Sequence, residues 1–180
     1  MTTQSVNTLP QPRGFAVGSP VAHPERGAGT IERIVSLEMN GSRTRYYSID
    51  LISGSGTLLV PVDQADEVGL RLVTDSRGAI REAFSQPPHT LEDDHRTRQA
   101  EILGQIQAGD PLSVASALRD LAWRQHTGHL TVRDCKLMER ARDVLADEMA
   151  VALGIPREEA AARLLAMLDE CIRQHAGPEG

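Results

Sequence analysis

Hydrophobic and polar positions change rhythm near Thr74. Before it, apolar residues come in short, β-branched runs that partly alternate with polar ones. The runs are Gly29-Thr30-Ile31-Glu32-Arg33-Ile34-Val35-Ser36-Leu37, then Arg45 to Ile52, then Thr57 to Val62. Alternation of this kind predicts half-buried strands. Asn40-Gly41, between the first two runs, is a strong hairpin signal because both residues tolerate positive φ. A Ser-Gly repeat over 53–56 turns the chain into the third run. Short strands with tight turns predict a small β-barrel or a strongly bent sheet.

Beyond Thr74 the apolar period becomes helical. Ile80, Ala83 and Phe84 mark a first helix, broken at Gln86-Pro87-Pro88-His89. A second carries Ile102, Leu103 and Ile106 and ends at Gly109. Asp110-Pro111 starts a third, since Asp caps free N–H groups and Pro fits a first turn. Its apolar face is Leu112, Ala115, Leu118, Leu121 and Ala122, and it stops by Gly128. Thr131 with Asp134 reads as a capping box opening a longer helix, which carries Leu137, Met138, Ala141, Leu145, Met149 and Ala152 inward and ends at Gly154. Pro156 begins a last helix over 156–174. A strand run followed by a helix run predicts an α+β chain of two modules: a polar, disordered N-terminus over 1–14, a β domain over 15–73, and an all-α domain over 74–180.

The 180 residues carry a net charge of -6 and only 3% aromatic residues: Phe15, Tyr46, Tyr47, Phe84 and Trp123. No apolar run approaches the roughly 20 residues that span a bilayer, and residues 1–14 lack the apolar core of a secretory signal. Cys135 and Cys171 both fall in helical patterns, which fits a reducing cytoplasm better than a disulfide framework. A global basic field is missing. The charge is uneven, however. From Arg119 to Arg142 six bases face three acids, whereas residues 143–180 hold three bases and eight acids.

Within the basic window Arg133, Lys136 and Arg140 are spaced i, i+3, i+7 and share one stripe of a helix. Such a stripe can lie along phosphates, or be an ordinary solvated face. Arg96 and Arg98 follow Glu92-Asp93-Asp94 and either extend that surface or pair with those acids. Trp123 reads as a residue of the core or the module interface. His126 and His129 have no Cys or carboxylate to complete a metal set. No phosphate loop and no nucleophile context is present. The sequence therefore calls for no cofactor, no metal and no enzymatic activity.

The ordered motifs resemble a known family. Phe15-Ala16-Val17-Gly18-Ser19-Pro20-Val21-Ala22-His23-Pro24-Glu25-Arg26-Gly27-Ala28-Gly29 is similar to the opening of CarD/CdnL-type transcription regulators. Tyr46-Tyr47-Ser48-Ile49, Val60-Pro61-Val62-Asp63-Gln64-Ala65, Leu118-Arg119-Asp120-Leu121 and Met138-Glu139-Arg140-Ala141-Arg142 continue the match in order. The resemblance implies a Tudor-like β domain that docks by a sheet edge on the β subunit of bacterial RNA polymerase, through Leu37, Arg43, Arg45, Leu59 and Pro61. It implies a helical domain contacting promoter DNA, mostly at phosphates, through His95, Arg96, Arg98, Arg133, Lys136, Arg140 and Arg142. His95 stands where the family usually places a Trp wedge. The expected function is modulation of open-complex stability by a cytoplasmic, nucleoid-associated monomer or weak dimer. The alternative is a diverged interaction module that binds polymerase or another partner without stabilising melted DNA.

Overall fold

The computed structural model describes residues 14–39, 42–54 and 56–176. Five antiparallel strands form one sheet in the order β4-β3-β2-β1-β5: β1 Pro20–His23, β2 Gly27–Met39, β3 Ser42–Leu51, β4 Thr57–Pro61 and β5 Arg71–Leu72. Met39 pairs with Ser42 at the end of the β2–β3 ladder, and the hairpin signal of the sequence falls on Asn40 and Gly41. Those two residues, like Ser55 of the Ser-Gly repeat and most of the 1–14 segment, lie outside the described residues. A register shift between Ile31 and Arg33 gives β2 the local bend of a bulge.

The sheet is open, which corrects the barrel alternative and leaves the bent sheet. The reason is length. β5 has two residues and pairs only with β1, while β4 pairs only with β3, so the two ends of the sheet never join. Val21, Ile31, Tyr47, Ile49, Leu51, Val60, Ala65 and Leu70 fill the core on one face. Ala22, Ala28 and Val73 form a smaller cluster that meets Val151 and Ala152 of the helical domain.

Five helices follow: α1 Arg77–Ser85, α2 His95–Gln107, α3 Pro111–Thr127, α4 Val132–Leu153 and α5 Arg157–Ala176. Their ends follow the local chemistry. The Asp110 side chain accepts from the N–H of Ser113 at the start of α3, and Thr131 and Asp134 form a reciprocal capping box on α4. Gly154, in the left-handed region at φ 61°, closes α4. Leu118, Leu121, Leu145, Met149 and Leu164 lie at the centre of one helical core. No helix among the described residues is long and apolar enough to cross a membrane, and both cysteines are free thiols.

Candidate functional site

The basic stripe sits on α4. Arg133 and Lys136 are exposed and Arg140 is half-buried. None of the three forms an ion pair among the described residues, so their charge is available to solvent or to a partner. Lys136 and Arg140 line a hollow of about 460 Å³ against the β1–β2 turn, where Arg26 of the β domain joins them. The hollow also carries Glu25, Glu139, Asp143 and Asp147, the last two tied to Arg157. Arg26 went unnoticed in the sequence because nothing local links it to a helix more than a hundred residues away.

Arg142 does not belong to this stripe. Two residues on from Arg140, it lies roughly half a turn around the helix. There it lines the groove between α3, α4 and α5, beside His126, Met138 and Leu165.

The first turn of α2 supplies His95 and Arg96, both exposed. Asp94 caps this helix by accepting from the N–H of Thr97. Arg98, expected with them, is corrected by the structure: it is 2% exposed. Its Nη2 donates to Asp134 Oδ2 at 2.8 Å, and its Nη1 donates to the carbonyls of Glu92 and Asp93. Gln99 Nε2 donates to Asp134 Oδ1 and to Thr131 Oγ1. Where the first turns of α2 meet a neighbour they bury Arg98 and Gln99, and that neighbour is the capping box of α4. Burial by itself would raise the Asp134 carboxyl, but hydrogen bonds from Arg98, Thr131 and Gln99 outweigh it and hold the acid below the ordinary aspartate range. The pair sets the starts of α2 and α4 side by side, so His95, Arg96 and Arg133 emerge at one end of the helical domain.

Other bases of the window are also spent internally. Arg119 is buried, with Nε on Asp120 Oδ1 at 2.7 Å and Nη1 on the Ala83 carbonyl. Arg124 reaches Asp93 at 3.4 Å. Trp123 is half-buried on α3, its ring 5.5 Å from that of His126. It is not part of the hollow that holds Lys136 and Arg140.

On the β domain, the residues expected at the docking edge divide between two faces. Opposite residues in an antiparallel ladder share a face, and successive residues alternate. Leu37 pairs with Thr44, Val35 with Tyr46, Tyr46 with Pro61 and Ser48 with Leu59. Leu37, Val35, Tyr46, Pro61 and Leu59 therefore share the outer face, where Leu37 is 37% and Leu59 45% exposed. Arg43 and Arg45 alternate onto the other face, that of buried Tyr47 and Val60. β4 is a terminal strand of the sheet, so its outer N–H and C=O groups face no neighbouring strand. Pro61 is tolerated there because an edge needs fewer ladder donors.

Among the described residues no group of three or more His, Cys, Asp or Glu side chains could hold a metal. The arrangement leaves an apolar face and a terminal strand edge on one domain, and cations without an ion-pair partner among the described residues on the other.

Comparison with known proteins matches both domains. Residues 15–74 match the CarD-like/TRCF RID domain, and residues 79–165 match CarD, C-terminal domain. The chain is also 25% identical over 148 residues, 81% of its length and 96% of the relative's, to a candidate transcription factor, YdeB, of Bacillus subtilis (strain 168).

Proposed function

Because the chain belongs to the CarD-like family, whose RID-type domain interacts with RNA polymerase, we propose that it is a transcription regulator that bridges polymerase and promoter DNA. The β domain docks on the polymerase β subunit through the β4 edge and the apolar face of Leu37, Tyr46 and Leu59. An open edge offers a full row of backbone groups to a partner strand, and the flanking apolar side chains add area and register. The helical domain meets promoter DNA through Arg133, Lys136 and Arg140, with His95 and Arg96 at the adjoining helix start. The observation that carries this reading is the α4 stripe, whose three cations have no ion-pair partner among the described residues.

Such contacts position the protein without reading sequence. His95 occupies the wedge place, and an imidazole covers less base surface than the large aromatic or apolar groups that usually offset unstacking. The DNA contribution therefore rests mainly on phosphates, and polymerase must supply much of the local concentration. The test is the lifetime of open complexes formed by polymerase with the full chain. Arg140→Glu is expected to shorten the added lifetime and to reduce the salt slope by about one unit. Leu59→Asp is expected to abolish co-purification with the β subunit. An Arg140→Glu protein that retains the full effect on lifetime would favour the interaction-module alternative.

A further inference from the structure

Bridging requires that the docking edge and the cationic face keep a fixed relation, and one side chain stands at the seam between their domains. Arg71, on the two-residue strand β5, extends one nitrogen, Nη2, to both the Gly109 carbonyl and Glu148 Oε1. Gly109 is the corner between α2 and α3, and Glu148 lies on α4. A single guanidinium thus touches the α2–α3 corner and α4, the helix that carries the cationic stripe. Glu148 is 2% exposed, and its second oxygen has no hydrogen-bond partner among the described groups. A buried carboxylate with one charged partner depends on that partner far more than an exposed one does.

Two further contacts make the seam tight. Gly27, at the end of the β1–β2 turn, approaches α4 so closely that a Cβ there would come within 2.9 Å of Asp147 Oδ2. Beside it, Ala22, Ala28 and Val73 pack on Val151 and Ala152. These apolar residues are small and bury little area, so they fit the two surfaces together without fixing their angle strongly. The directional part of the seam is the Arg71 fork.

We propose that Arg71 is a positioning residue that locks the polymerase-docking domain and the DNA-facing domain into one body, so that docking fixes where the α4 stripe falls on the promoter. The proposal rests on the bridging function above for its second half only. Without the fork, the docking edge remains complete on β2–β4 and the stripe remains complete on α4, but the angle between them is no longer held. The protein should then bind polymerase normally and fail to place its cations.

The experiment compares the full-length protein with Arg71→Ala, Glu148→Gln and, as a control on the same strand, Leu72→Ala; Leu72 is half-exposed. Residual dipolar couplings report the alignment of each domain separately. The wild type and Leu72→Ala should show one alignment tensor for both domains, and Arg71→Ala two. Glu148→Gln, which keeps a hydrogen-bond acceptor but loses the charge, should fall between them and remains informative if Arg71→Ala folds poorly. Alongside, Arg71→Ala should bind polymerase as the wild type does while its effect on open-complex lifetime falls by roughly threefold to tenfold, the range of a modest coupling energy. A shared tensor in both Arg71→Ala and Glu148→Gln would overturn the lock. Separate tensors with an undiminished lifetime effect would overturn its functional half. If the wild type itself leaves open-complex lifetime unchanged, the bridging function fails and takes that functional half with it, while the tensors still decide the lock.

Discussion

Arg96 and Arg98 show how differently two cations of one helix start can behave. Arg96 is exposed, whereas Arg98, two residues later, is buried against Asp134 and two backbone carbonyls. Removing one partner of a buried pair leaves an uncompensated charge, which costs about 3–5 kcal/mol. Asp134→Ala should reach that range or exceed it, because Asp134 also completes the α4 capping box. Arg98→Met should lower stability comparably, and the double variant should lose less than the sum of the two, all read from urea denaturation. If Arg98→Met weakened DNA binding at unchanged stability, Arg98 would be a phosphate ligand and not a strut. The capping box is legible locally, but the Arg98–Asp134 pair is not. The partner of Arg98 lies 36 residues away, and in the sequence Arg96 and Arg98 have the same acidic neighbours. The charge count also says nothing of burial: of the bases between Arg119 and Arg142, Arg119 is buried on Asp120 and Arg124 leans on Asp93, so the exposed cationic surface reduces mainly to the α4 stripe.

At the scale of elements, legibility tracks how local the determining chemistry is. Helix starts at Asp110-Pro111 and Thr131 and the stop at Gly154 depend on residues within a turn of each end, and a local pattern can reveal them. The openness of the sheet depends on which strands fail to meet, and β1 and β5 are too short, at four and two residues, to show a period. The β1–β2 turn is the element whose shape depends most on a distant partner. Gly27 has φ 88°, and a Cβ on it would come within 2.9 Å of Asp147 Oδ2, while Asp147 Oδ1 is held by Arg157 Nε. Gly18 has nearly the same φ, 86°, with open space beyond it. Gly18→Ala should therefore cost only the left-handed strain of about 1–2 kcal/mol. Gly27→Ala adds displacement of a tethered carboxylate and should cost clearly more. The excess over Gly18→Ala, measured by thermal or urea unfolding, isolates the contact between the turn and α4. Equal losses would mean that Asp147 moves aside freely.

At the scale of the whole molecule, the seam between the domains gives stability an unusual pH dependence. Burial raises the Glu148 carboxyl above the ordinary 4.5, with Arg71 offsetting part of that rise and Asp110 and Asp147 adding to it. Burial likewise raises Asp147, against the pull of Arg157, with Asp143 pushing the same way as burial. A carboxyl that is raised in the folded chain takes up its proton there before the unfolded chain does. Stability from this source therefore grows as pH falls from neutral toward about 4.5. His23, lowered mainly by burial from the ordinary 6.5, works in the opposite sense, because the unfolded chain protonates first. Below the ordinary aspartate value of 3.8, Asp134 also works against the fold. Its lowered carboxyl contributes stability that is complete at neutral pH and lost as pH falls through the acid range. Total stability mixes these signs, so the informative quantity is the difference between the wild type and Glu148→Gln. Gln cannot titrate, and His23, Asp134 and Asp147 are present in both proteins. The wild type should gain on the variant as pH falls from neutral toward the ordinary value of 4.5, and the difference should level off below it. A difference that stays flat over this interval would place the Glu148 carboxyl in water, and with it the seam that Arg71 closes.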